Sequence, residues 1–241
     1  MNKKPRILFF DIETEPNLGY TWEKYEQNVL SFVKEWELLS VAWKWAGEST
    51  VFCTSKRGQK DDKAVAETIH HLFSVADVVV AHNGDEFDIK KSKARMVFHG
   101  LTPTKQLATV DTKKVAKRYF KFNGNGLSDL GKHFGLGDKQ KHSGFDMWLG
   151  CMANKPESWA EMIKYNKQDV VLLEKLYNKM KPWMTNHPSL AKLNDHAGCP
   201  TCGSKSTQKR GVKANKSTLS QQMFCNDCNG WYLTTYKKGA T

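Results

Sequence analysis

The stretch that most constrains this chain is "RILFFDIETEP", residues 6–16, in which an apolar run from Ile7 to Phe10 leads into Asp11 and Glu13 with one apolar residue between them. Successive side chains of a β-strand point to opposite faces, so Asp11 and Glu13 share one side while Ile12 turns into the core. Two like charges held that close repel, and the simplest remedy is a divalent cation between them. The pair also suits a strand end that surfaces with two solvated acids. On these residues alone both readings stand.

The pattern around that strand predicts a mixed α/β sheet. Two β-rich runs follow, "LLSVAWKW" (38–45) and "TVFCT" (50–54), with the four residues "AGES" as a hairpin turn between them and an irregular aromatic stretch before them. "DDKAVAETIHHLFSVA" has apolar residues at helical spacing and opens with acids, and "DVVVAH" is a continuous apolar run suited to a strand buried on both faces. Helices are expected over about 86–98, 112–120 and 127–134, with a short strand "LATVD" ending at Asp111. A long helix is expected from about 157, just after Pro156, to about 181, where Pro182 helps to stop it. Three antiparallel strands followed by alternating helix and strand imply helices on both faces of one sheet.

Length and charge set the partners. A chain of 241 residues has room for one full-sized domain and a small appendage. The start of the sequence lacks the apolar stretch of a secretion signal, and no run approaches a membrane span, so a soluble, cytoplasmic protein with no membrane partner is expected. Six cysteines in a reducing compartment read as thiols or metal ligands, with Cys53 and Cys151 as buried small hydrophobes. The net charge of +12 points to a polyanion, nucleic acid first. Half of that excess lies in residues 197–241, where Lys205, Lys209, Arg210, Lys213, Lys216, Lys237 and Lys238 stand against Asp227 alone, a net of +6.

Two further stretches bring acids to similar places. "AHNGDEFDIK" (81–90) follows the buried strand, whose C-terminal end opens on a crevice in a parallel arrangement. It delivers Asn83, Asp85, Glu86 and Asp88 there, with Asp85 and Glu86 also readable as helix-capping acids. In "KYNKQDVVLL" (164–173) Tyr165 and Asp169 stand four apart, hence on one helix face, while Val170, Leu172 and Leu173 supply apolar packing. Asp111 ends another strand and has three open readings: helix cap, substrate positioning or metal ligand. Asp146, His133 and His142 read as surface or core polar residues.

In order and context, "DIE", "N-x3-FD" (Asn83 to Asp88) and "Y-x3-D" (Tyr165 to Asp169) resemble the three motifs of the DEDD superfamily of 3'-5' exonucleases, and specifically its Tyr-containing branch, which includes the proofreading domains of family B DNA polymerases. The resemblance covers residues 6 to about 181 and implies an RNase H-like fold. It implies that Asp11, Glu13, Asp88 and Asp169 bind two Mg²⁺ or Mn²⁺ ions and that Tyr165 positions the attacking water. Two such ions stabilise the attacking and leaving oxygens of a phosphodiester and suit hard carboxylate ligands. Tyr, with an unperturbed pKa near 10, fits orientation of water better than full proton abstraction. The 3'-5' polarity comes from the resemblance alone, and a free-standing exonuclease without a polymerase portion is expected.

The tail holds a second motif: "CPTCG" and "CNDC" place Cys199, Cys202, Cys225 and Cys228 as C-x2-C, 22 residues, C-x2-C. This spacing predicts one structural Zn²⁺ in a zinc ribbon, too small to fold without its ion. The basic run between the knuckles, with Lys209, Arg210 and Lys213, is followed by Phe224, Trp231, Tyr232 and Tyr236. Cations beside aromatics suit a nucleic-acid backbone and unpaired bases. Trp231 and Tyr232 are expected to form the ribbon's own miniature core.

The resulting expectation is a 3'-5' exonuclease domain at 1–185, a linker at 186–198 and a zinc ribbon at 199–241. The substrate is expected to be single-stranded nucleic acid, with DNA foremost, bound at Asn83, Asp111, Lys209, Arg210 and Lys213; a replication or repair protein is a further partner for the ribbon. An RNA exonuclease, a structure-selective endonuclease and a non-catalytic binding or adaptor protein are the rival readings.

Overall fold

The computed structural model describes residues 4–25, 28–137 and 142–236. The alternation that begins at Ile7 outruns its apolar residues: β1 spans Ile7–Thr14, so Asp11 and Glu13 lie within the strand rather than at its end. The aromatic stretch expected to be irregular forms an antiparallel hairpin of β2 (Leu18–Tyr20) and β3 (Ser31–Lys34). β4 (Leu38–Trp45) and β5 (Phe52–Ser55) are the expected antiparallel pair, joined by residues 46–51, a longer connection than the turn read from the sequence. Next come α1 (Lys63–Val75), β6 (Val78–Ala81), α2 (Asp88–Phe98), β7 (Ala108–Asp111), α3 (Thr112–Tyr119) and α4 (Leu127–His133). The sequence reading had no counterpart for α5 (Phe145–Met152). The long α6 (Pro156–Met180) begins with proline in its first turn, where a missing N–H costs nothing.

The main sheet has the order β5-β4-β1-β6-β7, with β4 antiparallel and β6 parallel to the central β1. Period-two alternation sorts β1 between two layers. Leu8, Phe10 and Ile12 pack with Val65, Ile69, Phe73, Ile89 and Met96 of α1 and α2. Ile7 and Phe9 pack on the opposite face with Val170, Leu173 and Tyr177 of α6. Asp11 and Glu13 continue the second set, so the strand's own geometry aims both acids at α6. β6 is buried on all four residues, as a parallel strand covered on both faces must be. A third cluster joins Leu39 of β4 to Met147 and Cys151 of α5 and Trp159, Met162 and Tyr165 of α6. Cys151 is buried as expected, whereas Cys53 is only half-buried at the edge of the α6-side core; burial pushes their thiols up to about 12 and about 11.

Beyond α6, the segment read as a linker contains a helical turn, α7 (Leu190–Leu193), whose Leu190 reaches the α6-side core and whose N–H donates to Pro200 at 2.7 Å. A three-stranded antiparallel sheet follows, ordered β10-β9-β8, from β8 (Thr207–Ala214), β9 (Leu219–Cys225) and β10 (Trp231–Thr235). Lys237 and Lys238 lie outside the described residues. Among the described residues no helix is long and apolar enough to cross a membrane.

Candidate functional site

Three of the predicted acids meet where β1 passes under α6. Asp11, Glu13 and Asp169 each offer a carboxylate oxygen, and these oxygens lie within 4.8 Å of one another. Asp169 is 1% exposed and the two strand acids are half-buried. Hard oxygen donors at this spacing fit Mg²⁺ or Mn²⁺, and the crowding of like charge in a partly desolvated site calls for a cation. The negative field reaches neighbours: after burial, Glu161, Glu13 and Glu15 are what push the Cys151 thiol up.

Asp88 arrives by a tight turn after β6. A Cβ at Gly84 would stand 2.4 Å from the Cβ of Ala81, and Asn83 takes a φ of +67°, so the chain doubles back only with these residue types. The turn sets Asp88 at the start of α2, 3% exposed, where its Oδ1 accepts the Ile12 N–H at 3.2 Å. It therefore sits at the β1 backbone between the two strand acids, outside the group of three.

Asn166, which the sequence reading passed over, ties the site together. Its Nδ2 donates to Asp11 Oδ2 at 2.7 Å and to the Asp11 carbonyl at 3.2 Å, while its Oδ1 accepts from Ser40 Oγ at 2.9 Å. Asn166 and Ser40 are fully buried. One α6 side chain thus locks the orientation of Asp11 to β4. The available signal was its place, one residue after Tyr165 and three before Asp169; its partners were invisible in the sequence.

Tyr165 is 6% exposed, with its ring edge-on to His142 at 4.9 Å and to Trp148 at 6.2 Å. His142, read from sequence as an incidental polar residue, is therefore part of the Tyr165 surroundings. Beside these rings a cleft of about 460 Å³ opens between Thr14, Glu15 and Trp36 on one side and His142, Phe145 and Trp148 on the other. Glu15, next in the alternation after Glu13, does not extend the acid group. It accepts from Lys34 Nζ at 2.7 Å and Lys56 Nζ at 2.6 Å, which makes it a buried ion-pair centre.

The remaining acids of the second stretch serve local structure. Asp111 accepts backbone N–H groups from Lys113 and Lys114, capping α3, and from Asn83 and Asp85, pinning the turn that delivers Asp88. Of its three sequence readings, the cap is the one that the geometry displays. Asp85 and Glu86 pair with Lys114 at 3.0 and 3.2 Å rather than capping α2, which begins later, at Asp88.

In the tail the four cysteine sulfurs lie within 4.8 Å of one another, with Cys199–Cys228 at 3.6 Å and Cys202–Cys225 at 3.5 Å. Disulfide sulfurs stand about 2 Å apart, whereas four thiolates around zinc at about 2.3 Å stand roughly 3.8 Å apart. Burial pushes Cys202 up to about 11 and Cys228 higher still, so a cation is what lets the set ionise together. Lys209, Arg210 and Lys213 do not form one grip. A bulge between Lys209 and Val212, with Gly211 at φ +90°, pairs Lys209 with Met223 but Lys213 with Ser220, which turns the two lysines to opposite faces. Trp231 corrects an expectation: it is 50% exposed, tilted on Phe224 at 5.3 Å, because its strand position faces away from the cysteines. Tyr232 takes the inward face, where burial raises its hydroxyl and Thr207 bonds it.

A family model described as the RNase_H superfamily matches residues 8–181. The structure of the family B DNA polymerase from the hyperthermophilic archaeon Pyrobaculum calidifontis aligns with a TM-score of 0.57 at 18% identity, over 79% of this chain and 26% of the polymerase chain. At that identity the fold is what is shared, and this chain spans about a quarter of the polymerase's length. No curated protein matches the sequence.

Proposed function

Because this chain belongs to the RNase H superfamily through residues 8–181, we propose that it is a metal-dependent 3'-5' exonuclease of the Tyr-containing DEDD branch, acting on single-stranded ends, DNA before RNA. The observation that carries this reading is the meeting of Asp11, Glu13 and Asp169, with Asp88 at the adjoining β1 backbone. The exonuclease domain is assigned to 1–185, the linker to 186–198 and the zinc ribbon to 199–241, the ribbon serving to hold substrate.

Asp11, Glu13 and Asp169 would hold Mg²⁺ or Mn²⁺, with Asp88 at the adjoining β1 backbone as the fourth acid of the two-ion set. When bound, such ions acidify water and neutralise charge on the scissile phosphate. The chain's own residues provide the positioning. Asn166 keeps the Asp11 carboxylate in one orientation through a hydrogen bond to a charged acceptor, which holds it more firmly than a neutral bond would. Tyr165, its ring flanked edge-on by His142 and Trp148, orients the attacking water. The aromatic cleft beside it accommodates the unpaired end that this chemistry requires.

The test uses end-labelled single-stranded DNA and RNA of equal sequence, with free or blocked 3' ends, in Mg²⁺ with wild type or Asp11→Ala. Stepwise shortening from free 3' ends by wild type only is the expected result. Internal cuts would transfer the reading to an endonuclease, and no cutting would leave a binding protein.

A further inference from the structure

We infer that the groove between α7 and the outer face of the ribbon sheet is a binding track for single-stranded nucleic acid, with Trp231 as its stacking platform and Lys192 and Lys213 as its phosphate contacts. The groove encloses about 730 Å³, against about 460 Å³ for the cleft beside His142 and Trp148, and shares no lining residue with it. One wall is the ribbon: strand register puts Leu233 opposite Gln222, Trp231 opposite Phe224, and Lys213 opposite Ser220, all on one face. The other wall is built by Ser189, Lys192, His196 and Pro200.

The chemistry of this lining selects its occupant. Trp231 and Leu233 are half-exposed, so a broad apolar platform faces solvent across the groove. An aromatic face with flanking cations is what unpaired bases stack on, whatever their sequence. The described lining contains Lys192, Lys213 and His196 and no carboxylate, which matches a polyanion and disfavours a basic peptide. The bulge at Arg210–Gly211 matters here, because without it Lys213 would face the cysteines. A duplex end presents its bases already stacked, so the exposed ring favours a single strand.

This inference rests on the nuclease reading only for the identity of the polymer, and the experiment separates the two. Binding of a fluorescein-labelled 20-nucleotide oligothymidine is measured by anisotropy without added Mg²⁺, for the full chain and for Trp231→Ala, Trp231→Phe and the double variant Lys192→Gln/Lys213→Gln. Trp231→Ala should weaken binding at least about fivefold while Trp231→Phe retains most of it. The double variant should lower the slope of log K against log salt by about 1.4. In parallel, hydrolysis in Mg²⁺ of the p-nitrophenyl ester of thymidine 5'-monophosphate, too short to span both sites, should be unchanged by either Trp231 variant. Affinity and salt slope unaltered in Trp231→Ala and the double variant would overturn the groove assignment even if the enzyme cuts DNA. Wild type that binds through Trp231 yet, once Mg²⁺ is added, hydrolyses neither the ester nor the oligothymidine would overturn the nuclease reading and leave the groove standing.

Discussion

Asn166→Asp is the sharpest probe of the acid site, because it changes a sign and almost no volume. The Ser40 hydroxyl still has an oxygen to donate to, so the β4 link survives. The group 2.7 Å from Asp11 Oδ2 becomes a carboxylate in place of an amide donor. At an effective dielectric near 20, two charges at that distance repel by about 6 kcal/mol. The protein can escape by protonating one of them, which at pH 7.5 costs about 5 kcal/mol for a carboxyl with an ordinary pKa near 4. The cost therefore lies near the 3–5 kcal/mol typical of a broken buried charge contact, a fall in Tm of about 10 °C for a chain of this size. Released from its donor, Asp11 also loses its orientation, and turnover should fall about a hundredfold. Thermal melts followed by circular dichroism, with oligonucleotide turnover alongside, measure both. Stability within 1 kcal/mol of wild type and turnover within threefold would refute the claim that Asn166 positions Asp11.

Asp169→Ala should abolish hydrolysis while the circular dichroism spectrum keeps its native shape; undiminished turnover would sink the acid assignment. Cys225→Ser should reduce bound zinc from one equivalent per chain, measured by atomic absorption, and removing 199–241 should weaken nucleic-acid binding and flatten its salt dependence. His187 supplies a pH test. Buried against Tyr177, whose hydroxyl lies 2.7 Å from Nε2, it has a pKa lowered by burial to about 4. The unfolded chain takes up that proton first, near pH 6.5, so stability present above pH 6.5 is lost as pH falls toward 4, by about 2 kcal/mol between pH 7.5 and 5. Urea unfolding of wild type and His187→Gln should converge over that window, and a constant gap would contradict the assignment.

Much of the fold was legible because its signals are local. Period-two alternation placed Asp11 and Glu13 on one side of β1, the run of three valines and an alanine in β6 announced a strand buried on both faces, and Pro156 marked where α6 begins. The cysteine spacing announced the cluster in the same way, since two short turns suffice to aim four sulfurs at one point. What the chain alone determined is thus which residue types occur at which local periodicity. Only the tertiary structure decided the partners. Asn166 meets Asp11 across 155 residues, and His142 meets the Tyr165 ring although nothing in either stretch names the other. α5 was missed because its burial comes from packing on α6. The bulge at Arg210–Gly211 turned Lys213 away from Lys209, and Trp231 left the core it was expected to build. A side chain's periodicity is written within a few residues of it, whereas its environment is made by chain segments that meet only when the whole hydrophobic core closes.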